Sequence, residues 1–410
     1  MSDPALARER KIVWLLAAVT FVNILDFVMV IPLGPEFARG LGMPTSRLGL
    51  LGTSYTGAAA VAGLVGTLFL ERFDRRSALA VAMMGLITAT AAGGLARSFN
   101  MLLGARVMAG AFGGPASSIG MAILTDVIAP ERRGKALGQV MGAFSVASVL
   151  GIPMGVLLAS WAGWRAPFFV VAAMGLVLIF GALFLMPPMR GHLERPKVAV
   201  ERRSLGAFVG DPLVLLSLAG VACLHLGSFL LILNLAGWAQ GNLGYPPADM
   251  WKPYFVGGLI SFVSMRIGGT LTDRRGSLPI VLGGSLFFAA VVAVSFLPAR
   301  SWLPVMVVFV GFMLANSFRM VAMNTLSTRV PLPTERARFM SAQSAAQHLA
   351  AALAGALGSV LLTNTAGGAL VGMDRLAVMS LLLTALVPVF VWLVTARLRQ
   401  RDSAPKLMPR

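Results

Sequence analysis

A single cysteine, three histidines, three tyrosines and sixteen acidic residues are all that 410 positions provide. Cys223 lies inside an apolar run, which excludes a disulfide framework and a cysteine metal cluster. Charged residues make up 12% of the chain against 57% hydrophobic ones, far too few to cover a soluble globule of this size. With a mean hydropathy of +0.82 the chain belongs in lipid. No His-Glu-x-x-His, Gly-x-Ser-x-Gly or paired histidines occur, so a membrane-embedded enzyme is not expected. The lack of a Walker-type phosphate loop removes ATP as a direct energy source. Neither metal nor cofactor is expected.

Positive charge is in excess, with 34 Lys and Arg and a formal net charge of +18. These residues sit in short clusters between apolar runs, with no aromatic-rich basic face, so nucleic acid is not an expected partner. Arg8, Arg10 and Lys11 precede an apolar stretch in the manner of a secretory signal. That stretch is too long, contains Asp26 and Pro32 and lacks a small-residue cleavage site, so it reads as a retained first helix.

Apolar runs long enough to cross a bilayer as helices fall near 12–34, 48–70, 78–96, 101–128, 136–160 and 167–186, then near 213–237, 253–271, 278–297, 303–329, 339–364 and 375–396. The expectation is an all-α membrane protein of twelve transmembrane helices. It divides into a six-helix half over 1–186, a linker over 187–212 rich in Arg, Lys and Pro, and a second six-helix half with a short tail over 213–410. Segments on the side of the termini hold 24 of the Lys and Arg residues and the opposite segments seven, which predicts cytoplasmic termini and linker. Arg106, Arg266 and Arg319 fall inside predicted helices.

The two halves repeat. Gly66, Glu71 and Arg72 recur 202 positions later as Gly268, Asp273 and Arg274, and Asn23 and Phe27 recur as His225 and Phe229. Pro130, Arg133 and Lys135 recur at offset 203 as Pro333, Arg336 and Arg338. A charged turn repeated at half the chain length is the mark of a duplicated membrane protein with pseudo-symmetric halves.

Asp26 in the first helix and Arg106 in the fourth are ionisable groups inside apolar runs, and such groups are functional by default. Counting from the predicted helix ends at 1.5 Å per residue puts them about 12 Å and 8 Å below one surface, depths compatible with pairing. Burial raises a carboxylate's proton affinity and a nearby guanidinium lowers it, so helix movement near such a pair would change its protonation. A permanent ion pair locking two helices is the structural alternative. Asn316, Met320 and Asn324 lie at i, i+4 and i+8 in the tenth helix with Arg319 adjacent, and Gln343 and Gln347 are four apart in the eleventh. With His225 and Ser228 of the seventh helix and Asn23 and Asp26 of the first, they form a candidate substrate cavity between the halves. Interhelical hydrogen bonding is the alternative for each.

The turn Gly66 to Arg76 resembles the signature loop of the major facilitator superfamily, with Glu71, Asp74 and Thr67 where that loop has Asp, Gly and Gly. Arg106 to Gly110 and Thr125 to Ala136 are similar to further motifs of the superfamily, and Gly151-Ile152-Pro153-Met154-Gly155 resembles the antiporter motif of its twelve-helix drug/proton antiporter and sugar-efflux branch, with the proline one place late. The resemblance implies alternating access, with Asp26 and Arg106 as proton-coupling elements. It also implies a gate at the cytoplasmic helix ends, built from Glu71, Arg72, Asp74, Arg75, Arg76 and Asp126 and echoed by Asp273 and Arg274. Asp126 is the expected partner of Arg75 or Arg76.

These readings converge on a monomeric multi-pass secondary transporter of a bacterial cytoplasmic membrane, exporting small amphipathic compounds against protons. Two alternatives stay open: efflux of sugars, nucleosides or other polar metabolites, and an uncoupled facilitator for anion-bearing amphipathic, lysolipid-like substrates.

Overall fold

A computed structural model describes residues 4–69, 72–129, 132–190, 205–297, 303–332, 335–366 and 368–403. The first six membrane-length helices are α1 (Pro4–Val28), α2 (Leu48–Phe69), α3 (Arg75–Gly94), α4 (Phe99–Val127), α5 and α6 (Ala166–Leu185). In α5, Arg133–Val146 and Ile152–Ala162 flank a π-helical turn at Ala147–Gly151. The second six are α7 (Pro212–Ile232), α8 (Trp251–Arg275), α9 (Ser277–Phe296), α10 (Val305–Ser327), α11 (Arg336–Leu361) and α12 (Met373–Ser403). The fold is the expected one of twelve helices in two six-helix halves. Among the described residues, a two-residue ribbon lies between α11 and α12, with Thr363–Asn364 paired with Leu370–Val371. Of the expected linker, residues 191–204 lie outside the described residues.

Helix ends follow local chemistry. Asp74 caps α3 by accepting from the Ser77 N–H at 3.1 Å, and Ser98 caps α4 through Met101. Asp211 caps α7, with Pro212 at the first position. Two expected spans were too long. The first helix stops at Val28 rather than 34, because Pro32 and Gly34-Pro35 cannot continue it, and Gly34–Leu41 forms a separate short helix. The seventh stops at Ile232 and restarts as Leu235–Leu243. These two short helices end on Gly42 (φ 62°) and Gly244 (φ 65°), left-handed caps 202 positions apart, so the duplication extends to the turn geometry. Within α5, Pro153 has no N–H to donate, and the Ile152 N–H reaches back to Ala147, widening the turn.

The halves use the same packing scheme. In the first, α2 and α3 pack on α4, α3 on α6, and α1 on α4, α5 and α6. In the second, α8 and α9 pack on α10, α9 on α12, and α7 on α10, α11 and α12. The halves meet through α2 against α11 and α5 against α8, two contacts related by the repeat. Their closest approach is at the end away from the termini. There Gly49 packs on the Gly355 backbone, where a Cβ on either residue would collide. Thr53 Oγ1 donates to Ala352 O at 2.8 Å and the Ser46 N–H to Asn364 Oδ1 at 2.9 Å. The short helices 34–41 and 235–243 touch at the same end, and α8 packs mainly on 147–162 of α5 rather than on 133–146.

Candidate functional site

In α1, Asn23 and Asp26 lie one turn apart and turn inward, with 6% and 0% of their surface exposed. Asp26 accepts two hydrogen bonds, from Thr90 Oγ1 of α3 at 2.7 Å and from Arg106 Nη1 of α4 at 3.0 Å. Arg106 is 1% exposed, and its guanidinium lies 4.6 Å above the Tyr55 ring of α2. The Tyr55 hydroxyl donates to Asn23 Oδ1 at 2.7 Å, and Asn23 Nδ2 donates to Gly113 O at 2.8 Å and Ser117 Oγ at 2.9 Å on α4. Four helices thus converge on one polar cluster in an apolar half. The α2–α4 contact that brings Tyr55 there depends on Gly110, where a Cβ would collide with the Tyr55 carbonyl.

Asp26 lies two residues from the end of α1, not eight, because that helix breaks early; the pairing with Arg106 follows from packing rather than from matched distances to a helix end. The pair is sealed inside the first half, so in this conformation Asn23 and Asp26 do not line an open cavity. An ion pair in such surroundings holds only while both members and their hydrogen bonds are present, and removing one member costs about 3–5 kcal/mol. Tyr55, Thr90 and Ser117 were not singled out by the sequence; hydroxyls are ordinary in membrane helices, and only the rarity of tyrosine offered a signal.

The charged turn after α2 divides in two. Glu71 lies outside the described residues, and Arg72 is exposed. Arg75 Nε stands 3.5 Å from Asp126 Oδ2, joining the start of α3 to the end of α4. Arg76, the other expected partner of Asp126, donates to Leu183 O and Met186 O at the end of α6, at 3.3 and 3.1 Å. Asp74 also accepts from the Met189 N–H at 2.7 Å and stands 3.7 Å from Arg190 Nε. Desolvation pushes the Asp74 carboxyl up, but the backbone N–H groups of Ser77, Met189 and Arg76, with the Arg190 charge, outweigh it and hold the group below its usual value. This network ties α3 to α4 and α6 within the first half. Asp273 and Arg274 lie exposed in the last turn of α8.

In the second half, Ser228 Oγ donates to Asn316 Oδ1 at 2.7 Å and Gln343 Nε2 to Asn324 Oδ1 at 3.1 Å, so the asparagine stripe of α10 faces α7 and α11. Ser228 stands 202 positions after Asp26, so the repeat puts a hydroxyl where the first half has its carboxylate. His225 is buried, bonded to Val221 O at 2.9 Å and stacked on Phe229; Gln347 is half-buried. Arg319 departs from this set. It packs against Phe288 of α9 and Thr384 of α12, away from the stripe, because one residue position on a helix turns a side chain by 100°.

The chain matches the family model described as Major Facilitator Superfamily over residues 16–355. It is 29% identical to a chloramphenicol resistance protein of Streptomyces lividans over 344 residues, covering 83% of this chain and 86% of that protein. It is 27% identical to the purine ribonucleoside efflux pump NepI of Escherichia coli over 389 residues, covering 93% and 92%. Among solved structures it resembles a bacterial homolog of the human lysosomal transporter Spinster, inward-facing and occupied (TM-score 0.76, 18% identity, 99% and 100% covered). It also resembles a D-xylose-proton symporter (TM-score 0.74, 17% identity, 93% and 97% covered).

Proposed function

The chain belongs to the major facilitator superfamily, and we propose that it is a proton-coupled exporter of small amphipathic compounds. The observation that carries this reading is the buried Asp26–Arg106 ion pair, which joins α1 to α4 inside the first half with Thr90 of α3 as third partner. A carboxylate whose counter-charge and Thr90 hydroxyl belong to other helices changes its proton affinity when those helices move. In the proposed cycle, Asp26 exchanges its Arg106 and Thr90 partners for a proton in the alternative packing and gives that proton up when the pair re-forms.

With cytoplasmic termini, as the Lys and Arg distribution predicts, the end where the halves close on each other would be the outer one and this conformation would face inward. Substrate would enter from the cytoplasm between the halves, where the half-buried Asn316, Asn324 and Gln347 offer amide groups, with the buried Ser228 and Gln343 bonded behind them. The membrane is then the bacterial cytoplasmic one and the working unit a monomer. The likeness to the chloramphenicol resistance protein supports drug export. A second reading, export of nucleosides or similar polar metabolites, is favoured by the longer match to the purine ribonucleoside pump and by the neutral, amide-rich lining.

Liposomes holding the purified protein and an internal pH-sensitive dye test both. A panel of amphipathic drugs, nucleosides and sugars is applied as gradients. Coupled export predicts a substrate-dependent pH change for at least one class; flux with no pH change for any substrate refutes proton coupling.

A further inference from the structure

Arg319 lies eight residues before the end of α10, about 12 Å inside that end at 1.5 Å per residue. It is completely buried. Its Nη2 donates to Thr384 Oγ1 at a long 3.3 Å, its guanidinium lies 4.2 Å above the Phe288 ring, and its Nε and Nη1 have no acceptor. The stem passes over Gly284, where a Cβ would come within 3.0 Å of Arg319 Cγ. One residue on, Ser285 is 4% exposed and its hydroxyl is also without a partner; it shares the buried stripe of α9 with Phe288.

Among the described residues, no side chain of this half neutralises that charge. The sequences of α7, α9, α10 and α11 contain no Asp or Glu, α12 has them only near its ends, at Asp374 and Asp402, and α8 has only Asp273 in its last turn. The first half makes the contrast: Arg106 likewise lies over an aromatic ring, but Asp26 answers it. A guanidinium stays protonated at any working pH, and burying it uncompensated is among the most expensive things a fold can do. What the site lacks is a small acceptor carrying one negative charge. Burial of the guanidinium, with Phe288 over one face, favours a monatomic anion over the bulkier carboxylate of an amphipathic molecule.

We propose that the junction of α9, α10 and α12 at Arg319 is an anion site that takes a halide, chloride under ordinary conditions, paired with Arg319 and held by the hydroxyls of Thr384 and Ser285. The site is separate from the Asp26–Arg106 cluster and from the asparagine stripe, and stands whether or not transport is proton-coupled. Its role is to complete the packing of the second half.

The test is thermal unfolding of the purified full-length protein at constant ionic strength, with sodium chloride replacing sodium gluconate stepwise. Wild type should show a saturable rise in its midpoint with chloride. Arg319→Met should unfold at one temperature regardless of chloride, and above wild type in gluconate because the unpaired charge is gone. Thr384→Val, which keeps the arginine, should need at least tenfold more chloride for half the rise. Crystals soaked in bromide should give an anomalous peak beside the guanidinium. A wild type indifferent to chloride, or an Arg319→Met that responds as wild type does, overturns the proposal. If Arg319→Met does not fold, an unchanged chloride response in Thr384→Val together with no bromide peak overturns it.

Discussion

Removing the charge of Asp26 and of Arg106, singly and together, separates structure from coupling. In Arg106→Met the Asp26 carboxylate keeps only the Thr90 hydroxyl at 2.7 Å in a site with no exposed surface. In Asp26→Asn the guanidinium keeps only the Tyr55 ring and a neutral amide. Each single change breaks a buried pair from one side and should cost about 3–5 kcal/mol. The double variant removes both desolvation penalties with both charges, so it should recover about 2 kcal/mol or more relative to the sum of the singles. Thermal unfolding in detergent reads the stabilities, and dye-loaded liposomes read proton movement. All three variants should lose substrate-driven proton movement, although the double is the more stable protein than the singles predict. Additive stability losses would refute the pairing, and proton movement retained in the double variant would refute its role in coupling.

Three further outcomes follow from the packing. Tyr55→Phe keeps the ring beneath Arg106 but deprives the buried Asn23 Oδ1 of its donor at 2.7 Å, so unfolding stability should fall by about 1–3 kcal/mol; a change below about 0.5 kcal/mol would contradict the network. Because Asp74 titrates below its usual value when folded, its stabilising contribution should be present above about pH 4 and lost as pH falls through the folded value. Asp74→Asn should therefore lower the unfolding midpoint at neutral pH and flatten the acid limb; an unchanged acid limb would count against it. Gly355→Val puts a side chain against the Gly49 backbone and should hold the halves apart at that end. In a Cys223→Ser background, a cysteine at Thr53 should then react faster with an impermeant thiol reagent, and equal rates would argue that another contact closes that end.

The helices were readable because lipid demands long apolar runs, and Asp26 and Arg106 because charge inside such a run is conspicuous. The breaks at Val28 and Ile232 were missed where apolar residues continue past the helix end, so hydropathy alone could not place them. Hydroxyl partners such as Thr90 and Tyr55 stayed hidden because their contribution depends on which helix they meet. Arg319 was grouped with Asn316 by proximity along α10, yet its direction was decided by the room that Gly284 leaves on α9. The network around Asp74 and Arg76 likewise needed the end of α6, more than 100 residues away, which no local spacing shows.

The central claim is that Asp26 carries the exchanged proton, and substrate transport by Asp26→Asn in liposomes tests it most directly, with pH-driven uptake and substrate-for-substrate exchange measured side by side. Exchange does not require the site to lose its proton, so the account predicts that pH-driven uptake disappears while exchange persists. Uptake driven by a pH gradient at the wild-type rate would contradict it.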